Sequence, residues 1–219
     1  MENQVDWVRA RSDKQIEQRI KEIVDATARL YEGNRFEDIT FAMIAKEAKF
    51  TRSNVYRYFQ TKEDIFLELL NHDIEVWRKD VLENFADGNP SLHDAAETSV
   101  TLILRHKRLV KLFTILFTLL EPNASLEALT AFKKKITEEI GKAAQFLSTK
   151  LPFPSVEAAA EYLSAQSYLA IGAFPMMNLT QKQKEAMQAI GEETSPEFYR
   201  ERLVHASELL LKGFVATSS

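Results

Sequence analysis

The chain has 219 residues, 45% of them hydrophobic, a formal charge of −4 and no cysteine. That length builds one large domain or two small ones around a sizeable core, and the missing thiols exclude a disulfide framework, a thiolate metal site and a cysteine nucleophile. Six Gly and six Pro, with no Pro before Pro90, are few for a loop-rich all-β protein and favour an all-α fold.

The segment from Met1 to Gln15 is polar and mixed in charge, without the apolar stretch of a signal peptide. A first amphipathic helix is predicted over about Lys14 to Tyr31, where Ile16, Ile20, Ile23, Thr27 and Leu30 recur at three and four, and Gly33-Asn34 stops it. Thr40 can cap a short helix carrying Ile44, Ala45 and Ala48. After a break at Lys49-Phe50-Thr51, a second short helix carries Val55 and Phe59, and two such helices joined by a tight turn make a helix-turn-helix candidate. Thr61 opens a fourth, longer helix, with Asp64 at the capping-box position, that runs to Asp87-Gly88-Asn89-Pro90.

Caps and stops then repeat. Helices are predicted from Ser91-Asp94 to about Leu104, from Arg105 to Leu120, over about 124 to 149, over 156 to 174 after Ser155, from Thr180 to Gly191, and from Pro196 to about Val215. The most apolar window, Leu109 to Leu120, is interrupted by Lys111 and falls well short of the roughly 20 residues of a membrane span. A cytoplasmic protein with no membrane partner is expected. The four His are far apart, and neither a Gly-rich phosphate loop nor a Gly-x-Ser-x-Gly elbow occurs. No catalytic residue, metal or cofactor is therefore expected, and an enzyme is set aside.

Charge is unevenly spread. Residues 1 to 66 balance, so the whole deficit falls on the rest, yet Lys46, Lys49, Arg52, Arg57 and Lys62 stand against Glu47 alone, with Tyr56, Tyr58 and Phe59 among them. A cationic, aromatic patch on an acidic chain suits an anionic polymer; a merely solvated helix face is the competing reading. Spacing favours the polymer. At the start of a groove-entering helix, Arg52 and Asn54 can reach base edges while the Thr51 and Ser53 hydroxyls suit phosphate, with Tyr56 and Arg57 one turn later. Thr40 and Lys62 would clamp the nucleic-acid backbone on either side, and Val55 and Phe59 face the other way with Ile44 and Ile23. Arg9, Arg11 and Lys14 offer either a further phosphate or minor-groove contact or ordinary solvated charge.

Ile23, Ala26, Leu30-Tyr31, Phe36, Ile39-Thr40, Ile44-Ala45, Ala48, Phe50-Thr51, Ser53, Val55-Tyr56, Tyr58-Phe59 and Lys62-Glu63 together carry a resemblance. The segment Arg19 to Leu70 resembles the N-terminal DNA-binding domain of the TetR family of bacterial transcriptional regulators. The resemblance implies a helix-turn-helix DNA-binding domain over 1–62 and a helical effector-binding and dimerisation domain over 63–219. It implies contacts to a double-stranded operator from Thr40, Thr51, Tyr56, Tyr58 and Lys62, which with Lys49, Arg52, Ser53, Asn54 and Arg57 form the candidate DNA-binding set. Two departures stand out. Lys49 occupies the turn where the family usually has Gly, and Arg35 replaces the Gly before the aromatic at Phe36.

A homodimer follows from recognition arithmetic, because one short helix reads too few base pairs to find an operator in a genome. The candidate interface is the helices 156–174 and 197–215, through Ala159, Leu163, Phe198, Leu203, Ala206, Leu210 and Phe214; packing inside one subunit is the alternative. The family implies a four-helix bundle there. Trp77, Phe85, Ile103, Phe113, Phe117, Tyr168, Met176 and Met177, with His106 as a polar handle beside Arg105, are candidates to line a pocket for an unknown small-molecule effector. Such stripes are also ordinary core. The resemblance implies that the effector releases DNA and that the regulator represses; a dimeric helical sensor or protein-binding module without DNA readout is the rival.

Overall fold

The computed structural model describes residues 2–216, with side chains from residue 14 onward. Arg9 and Arg11, expected to add a DNA contact, lie outside the described side chains. Ten α-helices and no strand occur among the described residues: α1 Glu2–Gly33, α2 Phe41–Glu47, α3 Arg52–Tyr56, α4 Lys62–Asn84, α5 Leu92–Arg105, α6 Lys107–Ile115, α7 Leu126–Leu147, α8 Val156–Met177, α9 Gln181–Ala189 and α10 Pro196–Ala216. Contacts divide them into two compact units, one of residues 1–71 with 117–132 and the other of 72–116 with 133–219.

Local chemistry starts these helices where the sequence says. Thr40, Thr51, Ser91, Ser155 and Thr180 each accept the backbone N–H three residues on, as N-caps do. Before α4 the capping is reciprocal: Thr61 Oγ1 accepts from Asp64 N, and Asp64 Oδ2 accepts from the backbone N–H of Thr61 and of Gln60.

Three stretches differ from the sequence expectation. The helix predicted to run to Leu120 ends at Ile115, passing into a π-helical turn over Leu116–Leu120 and a 3-10 turn over Glu121–Asn123. Pro122 lacks the N–H that a continuing helix would need. Helix α8 passes the expected end at 174 and includes Pro175 in its last turn, where the Phe174 carbonyl instead accepts from Asn178 Nδ2 at 2.8 Å. A short 3-10 turn, Phe36–Asp38, precedes α2.

In the first unit, α1 packs on α2 and α2 on α3, burying Ile23, Tyr31, Ile44, Val55 and Phe59. The edges of the Tyr31 and Phe36 rings meet Phe66, with centroids at 5.2 and 4.9 Å. Burial raises the Tyr31 phenol far above its usual range, helped by the Glu37 carboxylate. Ile16, expected on the inner stripe of the first helix, is instead 44% exposed.

In the second unit, α10 packs on α5 and α8, and a buried cluster gathers Val81, Phe85, Leu102, Ala143, Leu147, Ala159, Tyr162, Leu163 and Leu211, with Trp77 against it. Two ionic ties cross it: Arg108 grips Asp73 through both carboxylate oxygens at 2.8 and 2.6 Å, and Arg78 pairs with the buried Glu139. Burial by itself works against the Glu139 charge, but hydrogen bonds from Lys142 and Arg78, with Lys135 nearby, hold its carboxyl down at about 2. A polar chain also runs through this core. Tyr162 Oη meets Ser99 and Ser207, and Ser207 Oγ donates to Gln166 Oε1 at 2.9 Å, while the buried Gln166 Nε2 has no acceptor.

Candidate nucleic-acid interface

Helix α3 turns Val55 inward and leaves Thr51, Arg52, Ser53, Asn54, Tyr56 and Arg57 exposed. Its first turn is ordered from within: Thr51 Oγ1 accepts from Asn54 N at 3.3 Å and lies 3.0 Å from Ser53 Oγ. The outer side chains form a stack. Arg52 lies over the Tyr56 ring at 5.7 Å with its Nη2 3.4 Å from the phenol oxygen, and the other partner of Tyr56 is Phe41, stacked at 4.4 Å with planes 14° apart. The stack fixes Tyr56, which is 47% exposed, and holds Arg52 on the outer surface of α3. Phe41 escaped the sequence reading. It stands three, four and seven residues before Ile44, Ala45 and Ala48, on their side of α2, where an aromatic reads as ordinary core.

The remaining candidates divide by how they are held. Lys46, Lys49 and Arg57 are exposed and make no ion pair with a described residue. Lys49 adopts φ 59°, so the turn keeps the left-handed residue for which Gly is usual and Lys accepts the strain. Arg35 is extended, at φ −75° and ψ 154°, so its departure from Gly is without strain. Thr40 sits exposed at the start of α2, its hydroxyl accepting from Met43 N. Lys62 is different: half-buried, its ammonium donates to the Phe36 carbonyl at 2.9 Å and rests 4.1 Å above the Phe36 ring. It fastens the start of α4 to the 3-10 turn as well as presenting charge. Tyr58 is half-buried beside Phe59. The only acidic residue of the patch, Glu47, is paired with Arg29 at 2.7 Å.

Residues 23–69 match the family model described as "Bacterial regulatory proteins, tetR family", and 71–216, the larger part of the chain, match the "Tetracyclin repressor-like, C-terminal domain". The chain belongs to the TetR family. As a member it is a DNA-binding transcriptional regulator, and α2 and α3 are its helix-turn-helix. A TetR transcriptional regulator from Rhodococcus sp. RHA1 has a similar fold, at 14% identity over 89% of this chain and 96% of that one, with TM-score 0.56. So do the fatty acid degradation regulator FadR from Bacillus halodurans, 13% identical over 89% and 95% with TM-score 0.55, and the TetR family repressor AlkX from Dietzia sp. strain DQ12-45-1b, 15% identical over 89% and 95% with TM-score 0.51. No curated protein matches the chain significantly.

In the regulator's second unit, a cleft of about 170 Å³ opens among α5, α6, α8 and the start of α10. Ile103, Val110, Ala170, Phe174 and Met177 give it apolar walls, with Lys107 and Asn178 as polar lining. Of the residues expected around an effector, Ile103 and Met177 line this cleft. Phe85 is spent in the core and Trp77 packs against it; Phe113 is half-buried. His106 closes on Asp80 at 2.9 Å, which Arg105 also approaches at 3.5 Å. Phe117, Tyr168 and Met176 are more than half exposed.

Among the residues expected at a dimer interface, Ala159, Leu163 and Leu203 are buried in the subunit's own core, the first two in the cluster with Val81, Leu102 and Leu211 and the third beside Val100 of α5, with Leu169 and Ala173 of α8 packed on that pair. An open apolar face of α8 and α10 remains, made of Leu169, Ala206, Leu209, Leu210, Gly213 and Phe214. Leu209 is 55% exposed on it, and Phe198 is half-buried farther back on α10, beside Tyr199 and Arg202. Among the described residues no helix is long and apolar enough to cross a membrane, and no cluster of His, Asp and Glu is fit to hold a metal.

Proposed function

We propose that this regulator is a cytoplasmic repressor that binds a palindromic operator as a homodimer and lets go when a small molecule occupies its second unit. The observation that carries the reading is the exposed face of α3, where Arg52 stacks on Tyr56 and Tyr56 on Phe41, with Lys46, Lys49 and Arg57 uncommitted around it. Arg52 and Asn54 read base edges, and Thr40, Lys49, Thr51, Ser53, Tyr56, Arg57, Tyr58 and Lys62 hold phosphates. Residues 1–62 serve as the DNA-binding domain and 63–219 as the effector-binding and dimerisation domain.

The open face of α8 and α10 supports pairing with a second copy, since an apolar face on two long helices gains by being covered. Pairing would place two α3 helices on half-sites about 34 Å apart or a multiple of it. For the effector, the cleft beside Lys107 suits an apolar body carrying a hydrogen-bond acceptor. Gln166, with its unpaired amide donor, precedes the wall residue Ala170 by one turn of α8. Release requires that the effector bind the released conformation more tightly, and the operator then weakens the effector by the same factor.

Selection of the purified protein from a random duplex library at two salt concentrations tests this. An enriched palindrome whose affinity falls steeply with salt is expected. Sequence-independent binding alone would instead mean a sensor or protein-binding module that has lost DNA readout.

A further inference from the structure

A second cleft, of about 240 Å³, belongs to the compact unit that carries the helix-turn-helix. It is lined by Tyr58, Phe59 and Gln60 leaving α3, by α4 from Asp64 to Asn71, and by Ser125 and the first turns of α7. Its polar chemistry is one-sided. Asp64 is saturated, since its oxygens accept from Gln60 N, Thr61 N, Thr61 Oγ1 and Ser125 N. Glu68 and Glu127 are exposed carboxylates without an ion pair to any described residue, and no Lys or Arg lines the cleft. Asn71, 8% exposed, donates its Nδ2 to Glu68 Oε2 at 3.2 Å, and its buried Oδ1 has no donor at all. Turning the amide over would set that oxygen against a carboxylate, so the orphan acceptor is a property of the site.

We propose that this cleft binds a small organic cation, a primary amine or guanidine on a short apolar or aromatic body. Its N–H groups supply the donor that Asn71 Oδ1 lacks, and its charge answers Glu68 and Glu127. The body lies along Tyr58, Phe59 and Leu67, where the aromatic rings favour a cation further. An anion meets two carboxylates, and a neutral molecule of the same shape brings no charge. The ligand would sit beside the 2.8 Å bond from Ser125 N to Asp64 Oδ1, which ties the start of α7 to the cap of α4. This site differs in place and in sign from the cleft beside Lys107, and it does not rest on that reading.

The test is calorimetric titration of full-length protein, without DNA, with 2-phenylethylamine at millimolar concentration, beside 2-phenylethanol and 3-phenylpropionate. Saturable binding of the amine alone is expected, weakened about tenfold or more by Glu68→Gln and by Asn71→Leu and unchanged by Lys107→Ala. Glu68 is exposed, so its variant keeps the test open where Asn71→Leu fails to fold. Absence of amine binding, equal binding of the alcohol, or binding indifferent to Glu68→Gln overturns the proposal. With no DNA in the cell, none of these outcomes bears on operator recognition.

Discussion

The two compact units of this regulator solve opposite problems. Around α3 the surface is polar and cationic, and its side chains are set by neighbours a few residues away: Thr51 by Asn54, Arg52 by Tyr56, Asp64 by Thr61. Along α8 and α10 the exposed surface is apolar, and what reaches solvent is what distant helices leave uncovered, Leu209 rather than Leu203. A face built from local contacts is readable in a sequence. A face left over from packing is not, because every helix there is apolar on more than one side.

The comparison can be broken first at the core of the local unit. Phe66→Ala removes the ring that both Tyr31 and Phe36 meet edge-on, and should cost about 3–5 kcal/mol in denaturant unfolding, with DNA binding lost at ordinary temperature. In the other unit, Glu139→Gln removes a buried carboxylate held by Arg78 and Lys142 and should cost about 2–3 kcal/mol at neutral pH. Because the folded carboxyl is held down at about 2, below its ordinary 4.5, its stabilisation is complete above that ordinary value and fades as pH falls from there to about 2. Thermal melts between those limits should slope less in the variant than in the parent; equal slopes would remove Glu139 from the account.

Lys62 and Arg57 sharpen the contrast between a cation that holds structure and one that is free. Lys62→Ala should weaken all operator sequences by about 1–2 kcal/mol and also lower the melting temperature, since it unties the Phe36 carbonyl. Arg57→Ala should weaken DNA by a similar amount at an unchanged melting temperature. Gln166→Leu removes an unpaired buried donor together with the acceptor of the Ser207 hydroxyl, two effects of opposite sign, so the free protein should change in stability by no more than about 1 kcal/mol in denaturant unfolding while its response to effector is blunted. The smallest effect is at the turn, where Lys49→Gly should add about 1 kcal/mol of stability by relieving a left-handed Lys, with slightly weaker DNA binding through the lost charge.

Much of the fold was legible because its signals are short-range. Thr40, Thr51, Thr61, Ser91, Ser155 and Thr180 announced helix starts, and Lys49 in the turn announced the one non-Gly residue with positive φ among those described. The stack through Phe41 was not legible, because it joins two helices whose relative angle no local pattern states. The effector residues scattered for the same reason. An aromatic at helical spacing is core, cleft or surface according to which helix lies opposite, and Phe85, Ile103 and Tyr168 met three different fates.

By itself, then, the sequence determined the helices, their caps, the cationic exposed side of α3 and the resemblance that family membership bears out, all of which depend on residues within one or two turns of each other. Tertiary structure decided which apolar side of α8 and α10 stays open, that Lys62 is a fastener as well as a charge, and that Asn71 and Gln166 are each buried with one polar atom unmatched. Those outcomes depend on what packs opposite each side chain, and burial is a property of the pair.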